Sequence, residues 1–170
     1  MVILVDKCNN ETGTMEKMEA HRKGKLHRAI SVFICNTKGE WLLQRRAPGK
    51  YHSNGLWTNA CCSHPRPGES AGDAANRRLM EEMGMKAGLK EIFSFTYLAE
   101  LDNGLTEYEY DHVFLGITDE EPVINPKEVN EWRYISYPDL LNEVAKNPEN
   151  FTVWFRKIVS RVNEFIAGNL

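Results

Sequence analysis

The sequence predicts an α/β fold of the α+β kind, a mixed β-sheet with helices on its faces. Three observations predict it. Strand-like segments fall into two groups, the first ending near Cys62 and the second running from Glu91 to Ile135. A stretch with helical spacing, Ser70 to Met83, stands between them, and two more follow the second group. At 170 residues the chain can bury a proper core, and one domain over residues 1–170 is expected.

In chain order, Val2 to Val5 reads as a short strand and Asn9-Asn10-Glu11-Thr12-Gly13 as a turn cluster. Glu16 to Ala20 reads as one helical turn. Ala29 to Cys35 is a strongly apolar strand. Asn36-Thr37-Lys38-Gly39 turns the chain and Glu40 to Arg45 returns, which predicts a hairpin. Pro48 to Gly55 reads as a polar loop, Leu56 to Cys62 as extended chain, and Pro65-Arg66-Pro67-Gly68 as a break. Within Ser70 to Met83, Ala71, Ala75, Leu79 and Met83 form one stripe at i, i+4 spacing, and Gly84 is a natural C-terminal stop. Glu91 to Glu100 and Glu107 to Thr118 read as strands joined through Asp102-Asn103-Gly104, and Glu131 to Ile135 as another. Ser136-Tyr137-Pro138-Asp139 caps a helix reaching about Lys146. Phe151 to Ala167 reads as a terminal amphipathic helix.

The composition is 42% hydrophobic and 26% charged, with a formal net charge of −3, so nothing asks for a nucleic-acid or membrane partner. No apolar run approaches the roughly 18 residues of a membrane span. Met1 to Asp6 lacks the basic and apolar regions of a signal peptide, so a cytoplasmic protein is expected. Cys8, Cys35, Cys61 and Cys62 are too few for a disulfide framework, form no CxxC pair, and would stay thiols in a reducing compartment.

Four polar clusters could carry chemistry. In Cys62-Ser63-His64, residues i and i+2 of an extended segment share a face, so a thiol sits beside a metal-binding imidazole. Cys61 then faces the other way and is the better core residue. A catalytic Cys62 would want cationic charge to favour its thiolate, which Arg46, Lys50 or a metal could supply. His21 and His27 flank a basic loop. With His64 they are three of five histidines, and imidazoles with carboxylates suit Zn²⁺, Mn²⁺ or Fe²⁺, although each alone is more often a satisfied surface or core residue than a ligand. Glu107 and Glu109 share a strand face. At ~6 Å and an effective dielectric near 20 they repel by roughly 2–3 kcal/mol, so burial would demand a cation or a proton, while a solvent-facing strand would tolerate both. Glu69 precedes a helix whose Arg77/Glu81 and Arg78/Glu82 pairs are worth only ~0.2–0.5 kcal/mol each on a solvated face.

Glu69-x7-Arg77-Arg78-Leu79-x-Glu81-Glu82-x-Gly84-Met85 resembles the Nudix box, with Ser63 in place of its opening glycine and Arg78 in place of a glutamate. Nearly the whole chain resembles the type 1 isopentenyl-diphosphate Δ-isomerase branch of that superfamily. The matching stretches are Glu16-Lys17 through His21, Leu26-His27, Arg45-Arg46, Trp57-Thr58-Asn59, Cys62-x-His64-Pro65, Gly68-Glu69-Ser70, Glu107-x-Glu109 and Trp154. The resemblance implies a Nudix-like mixed sheet sandwiched between helices, and isomerisation of a prenyl diphosphate. It implies that His21, His27, His64, Glu107 and Glu109 bind one divalent metal, Mn²⁺, Mg²⁺ or Zn²⁺, and that Glu82 helps hold a Mg²⁺ that meets the diphosphate. It makes Cys62 a catalytic acid/base with Glu109 as its counterpart and Tyr97 assisting Glu109. Lys17, Arg46, Lys50 and Arg78 would grip the diphosphate. Trp154 would lie against a carbocation, although the residue alone reads as a packed helix tryptophan. A small-molecule substrate, no nucleic acid or membrane, and a monomer or weak homodimer are expected. The competing readings are a Nudix pyrophosphohydrolase, which Arg78 and the Cys62/Glu109 combination disfavour, and a silent binding domain, which leaves Cys62 and the five ligands unexplained.

Overall fold

The computed structural model describes residues 1–50 and 52–169, so Tyr51, within the segment read as a polar loop, and the terminal Leu170 lie outside the described residues. β1 (Val2–Val5) and β2 (Glu11–Met15) are followed by α1 (Lys17–Arg22), β3 (His27–Cys35), β4 (Trp41–Arg46), β5 (Trp57–Thr58) and β6 (Cys61–Ser63). Then come α2 (Ala71–Met83), β7 (Lys90–Glu100), β8 (Thr106–Ile117), β9 (Val129–Ile135), α3 (Tyr137–Lys146) and α4 (Val153–Asn169). The strands form one nine-stranded mixed sheet.

β3 organises the sheet because its residues are apolar on both faces and it must be covered on both. It runs parallel to β8, from His27↔Glu109 to Cys35↔Ile117, and antiparallel to β6, with Ser31 opposite Cys62 and Val32 opposite Cys61. β7 pairs antiparallel with β8, setting Tyr97 opposite Glu109. On one face Phe33, Val113 and Leu115 pack with Trp154, Phe155 and Ile158 of α4. On the other, Ile30, Val32, Ile34 and Cys61 pack with Ala75, Leu79 and Met83 of α2. The period of two along β3 thus divides two cores, and Cys61 belongs to the α2 side as its register predicts. The stripe on α2 faces the sheet, and its ends follow the sequence. Ser70 Oγ accepts from Asp73 N at the N-terminus, and Gly84 closes the C-terminus at φ +63°.

Four local expectations change. Glu11–Gly13 is not a turn but the start of β2, because the apolar β1 takes a partner on its outer edge. The hairpin over Asn36–Gly39 opens after one strand pair, Cys35↔Trp41, as β6 and β8 take the β3 ladder while β5 and β9 take that of β4. Leu56–Cys62 is not continuous, since the chain turns at Asn59-Ala60, where Asn59 Nδ2 donates to Val32 O and Cys61 O. The last helix starts at Val153 rather than Phe151, which bridges to Trp57.

Candidate active site

α1 and the first residue of β3 bring His21 and His27 beside His64, which follows β6, and Glu109 of β8. One donor atom from each lies within 4.8 Å of all the others. Two main-chain carbonyls orient the rings. His21 Nδ1 donates to Lys17 O at 2.8 Å, and His27 Nδ1 donates to Lys25 O at 2.7 Å. A carbonyl only accepts, so each Nδ1 carries the hydrogen and each Nε2 turns a lone pair toward the cluster. His64 Nε2 is 3.2 Å from His27 Nε2 and 2.9 Å from Glu109 Oε1. Three imidazoles and a carboxylate, oriented in this way, fit a divalent cation. A second group, His21, His52 and Glu107, adjoins the first, so Glu107 joins the metal-competent set through His52 rather than through His27 and His64.

Glu107 and Glu109 are 4% and 6% exposed, which overturns the solvent-facing alternative for Glu-x-Glu. Burial and the neighbouring Glu109 charge push the Glu107 carboxyl well above the usual carboxylate range. Burial also raises Glu109, but its contacts with His27 and His64 outweigh it and hold Glu109 well below that range. Tyr97 Oη bridges the two, donating to Glu109 Oε2 at 2.6 Å and lying 3.0 Å from Glu107 Oε2. A phenol has one hydrogen, so the Glu107 contact is met by a proton on Glu107, in keeping with its raised pKa. Burial pushes His64 and His52 down to about 3, so both rings are neutral, the form that ligates a metal.

Cys62 lies on the same face as Glu109, two strands away across β3. The expectation that Arg46 or Lys50 favours its thiolate is corrected. Burial, then the charge of Asp111, push the Cys62 thiol up, so its resting form is S–H. Its sulfur is 3.1 Å from Asn59 Oδ1 and 3.4 Å from Ser31 Oγ.

Lys17, Arg46, Lys50 and Arg78 come from α1, the end of β4, the loop after it and α2, and all four line the pocket that holds Cys62, Glu107 and Glu109. Burial holds Lys17 down to about 8. Lys50 pairs with Glu128, and Arg78 Nη2 lies 2.5 Å from Glu82 Oε1 and 3.5 Å from Glu128 Oε2. Arg78/Glu82 is therefore no solvated helix pair, because Glu82 is 4% exposed and also accepts from Gln44 Nε2 at 2.8 Å. Glu82 falls in neither metal-competent group, being held by Arg78 and Gln44. Arg77 forks onto Glu69 at 2.7 and 2.8 Å and so braces the chain before α2. Trp154 is 2% exposed, belongs to the α4 core and also lines the pocket, with Arg46 Cζ 5.3 Å from its ring centroid.

Sequence reasoning missed His52, Ser31, Asp111 and Glu128. His52 sits in the segment read as polar loop, with no local pattern to mark it, yet it is buried 3.6 Å from Glu107. Asp111 and Ser31 had a signal: Asp111 continues the Glu107/Glu109 face at i+2, and Ser31 interrupts an apolar strand.

Residues 25–155 match the family model described as NUDIX domain. A curated relative from Pectobacterium atrosepticum, an isopentenyl-diphosphate Delta-isomerase, is 51% identical and covers 96% of this chain and 92% of its own length. One from Aromatoleum aromaticum, isopentenyl-diphosphate Delta-isomerase 2, is 50% identical over 95% of this chain and 85% of its own. Among solved structures, DR0079 from Deinococcus radiodurans superposes with a TM-score of 0.79 at 20% identity, covering 94% of this chain and 97% of that one. The MutT protein from Methanosarcina mazei reaches 0.68 at 22% identity, over 85% and 95%. These two likenesses concern the fold.

Proposed function

We propose the reaction of this chain from one premise: it belongs to the NUDIX family and, within it, to the type 1 isopentenyl-diphosphate Δ-isomerases. It is an isomerase that interconverts isopentenyl and dimethylallyl diphosphate. The observation that carries the site assignment is the meeting of Cys62, Glu109 and four cationic side chains in one pocket beside a three-histidine cluster.

The reaction moves a double bond by a 1,3-proton shift. Adding a proton to an unactivated alkene makes a tertiary carbocation, and a C2 proton must then leave. Two proton-transfer groups are needed, and Cys62 and Glu109, on strands that flank β3, supply them. The S–H form of Cys62 suits a donor, and the ionised Glu109 suits an acceptor. Tyr97 orients Glu109 by its 2.6 Å hydrogen bond. Trp154 offers a ring face to the cation, worth ~2 kcal/mol when desolvated. Lys17, Arg46, Lys50 and Arg78 bind the diphosphate. His21, His27, His64, Glu107 and Glu109 would hold one divalent cation, Mn²⁺, Mg²⁺ or Zn²⁺, whose chemistry is to fix Glu109 and tune its acidity. Glu82 would help hold a Mg²⁺ with the diphosphate, after exchanging its Arg78 partner. The single sheet on which the helices pack supports reading residues 1–170 as one domain. Four free thiols suit the cytoplasm. We further take the chain to act as a monomer or weak homodimer, with no nucleic-acid or membrane partner.

The test is incubation with isopentenyl diphosphate and Mg²⁺ in D₂O, followed by NMR. The isomerase reading expects dimethylallyl diphosphate, deuterium uptake and intact diphosphate; phosphate release without isomer would replace it with hydrolysis. Cys62→Ala and Glu109→Gln should each nearly abolish turnover with the fold intact. Cys61→Ala, on the α2 side of the sheet, should cost stability alone.

A further inference from the structure

Among the described residues, the hydrogen-bonding neighbours of the Cys62 sulfur are acceptors in the resting state. Asn59 spends both amide hydrogens on main-chain carbonyls, at 3.0 Å to Val32 O and 2.9 Å to Cys61 O. Its orientation is thereby set, and the atom 3.1 Å from Cys62 Sγ is the amide oxygen, which only accepts. Ser31, 2% exposed in the middle of β3, donates its hydrogen to Asp111 Oδ2 at 2.7 Å and turns a lone pair to the sulfur at 3.4 Å. This environment suits S–H and offers nothing to the sulfur that remains once the proton has gone.

Of these two neighbours, one can change that. The Asn59 amide cannot turn without breaking two buried hydrogen bonds, each costly to leave unmade. The Ser31 hydroxyl can turn by rotation about one bond. We propose that Ser31 is a positioning residue for Cys62: its hydroxyl rests on Asp111 while the sulfur carries its proton and turns to donate to the sulfur when that proton has passed to the substrate. The S–H bond breaks and a C–H bond forms; the Ser31 O–H bond is kept and only changes its acceptor. Asp111 is the dock that draws the hydroxyl back. It is buried on the same face, and its Oδ2 lies 2.7 Å from the serine oxygen, within reach of the returning hydrogen.

This inference rests on Cys62 being a proton-transfer group, and the experiment separates the two. Ser31→Ala should lower kcat roughly ten- to a hundredfold, the range for losing a hydrogen bond to a charged group, with KM within about threefold. Ser31→Thr, which keeps the hydroxyl, should restore most of kcat. Binding of inorganic pyrophosphate, read by titration calorimetry, should be unchanged in both variants. If Ser31→Ala does not fold, Ser31→Cys keeps the volume with a weak donor and should show the same kcat loss. A dead Cys62→Ala with a Ser31→Ala near wild type would overturn the role of Ser31 alone. Equal kcat losses in the Ala and Thr variants would also overturn it, because the hydroxyl would not be the cause. An active Cys62→Ala would overturn the underlying assignment of Cys62.

Discussion

Tyr97→Phe removes one oxygen and leaves the ring. That oxygen lies 2.6 Å from Glu109 Oε2 and 3.0 Å from Glu107 Oε2, and Tyr97 is 7% exposed, so water does not readily replace it. A hydrogen bond to a charged group contributes about 1.5–3 kcal/mol, and each 1.4 kcal/mol is a factor of ten in rate. If Tyr97 acts by orienting Glu109, kcat should fall roughly ten- to a hundredfold. KM should stay within about threefold, because the cations assigned to the diphosphate are untouched. The phenylalanine ring keeps its stacking on Phe95, at 5.4 Å and 18°, so the fold should persist. Steady-state rates from the NMR assay, with pyrophosphate binding by calorimetry, separate the terms. A kcat within twofold of wild type, or a loss carried wholly by KM, would refute the orienting role.

Lys17 titrates near pH 8 because burial lowers it, so the free enzyme should lose its diphosphate-binding charge above that pH and kcat/KM should fall there. Lys17→Arg stays charged and should carry the alkaline limb to higher pH; an unmoved limb would assign it to another group. The Arg77 fork holds Glu69 down to about 2, so its contribution is full above the ordinary value of 4.5 and is lost as pH falls toward 2. Glu69→Gln should cost about 1 kcal/mol in urea unfolding at pH 7, allowing for the partial exposure of the pair, and less at pH 3.5; a constant gap would contradict the linkage. Gly84→Ala places a Cβ 2.5 Å from Val123 O at φ +63°, so it should lower stability by about 2 kcal/mol or more, and an unchanged Tm would be inconsistent with that contact.

Much of the site was legible as residue types before any contact was known. The Cys62/His64 spacing, the shared face of Glu107 and Glu109, and the placement of Cys61 on the opposite core follow from the two-residue period of a strand, which needs no tertiary information. The helix of residues 71–83 was legible from its stripe and caps because those signals are local. The early part of the sheet was less legible. β3 and β4 are neighbours in sequence with a turn between them, yet they share one strand pair, because ladder partners are chosen by competition among all apolar strands and not by proximity alone.

By itself, then, the sequence determined the chemistry available to this protein: imidazoles, a thiol, paired carboxylates and a collar of cations, spaced so that strand and helix periods expose them. The tertiary structure decided which of them meet and in what state. It set His52 beside Glu107, tied Glu82 to Gln44, put Ser31 and Asn59 around the Cys62 sulfur, and kept that sulfur protonated by burial. The physical reason is that protonation and hydrogen-bond direction depend on desolvation and on neighbours distant in sequence, such as Asp111 for Ser31 and His64 for Glu109. Those neighbours exist only once the parallel pairing of β3 with β8 has formed.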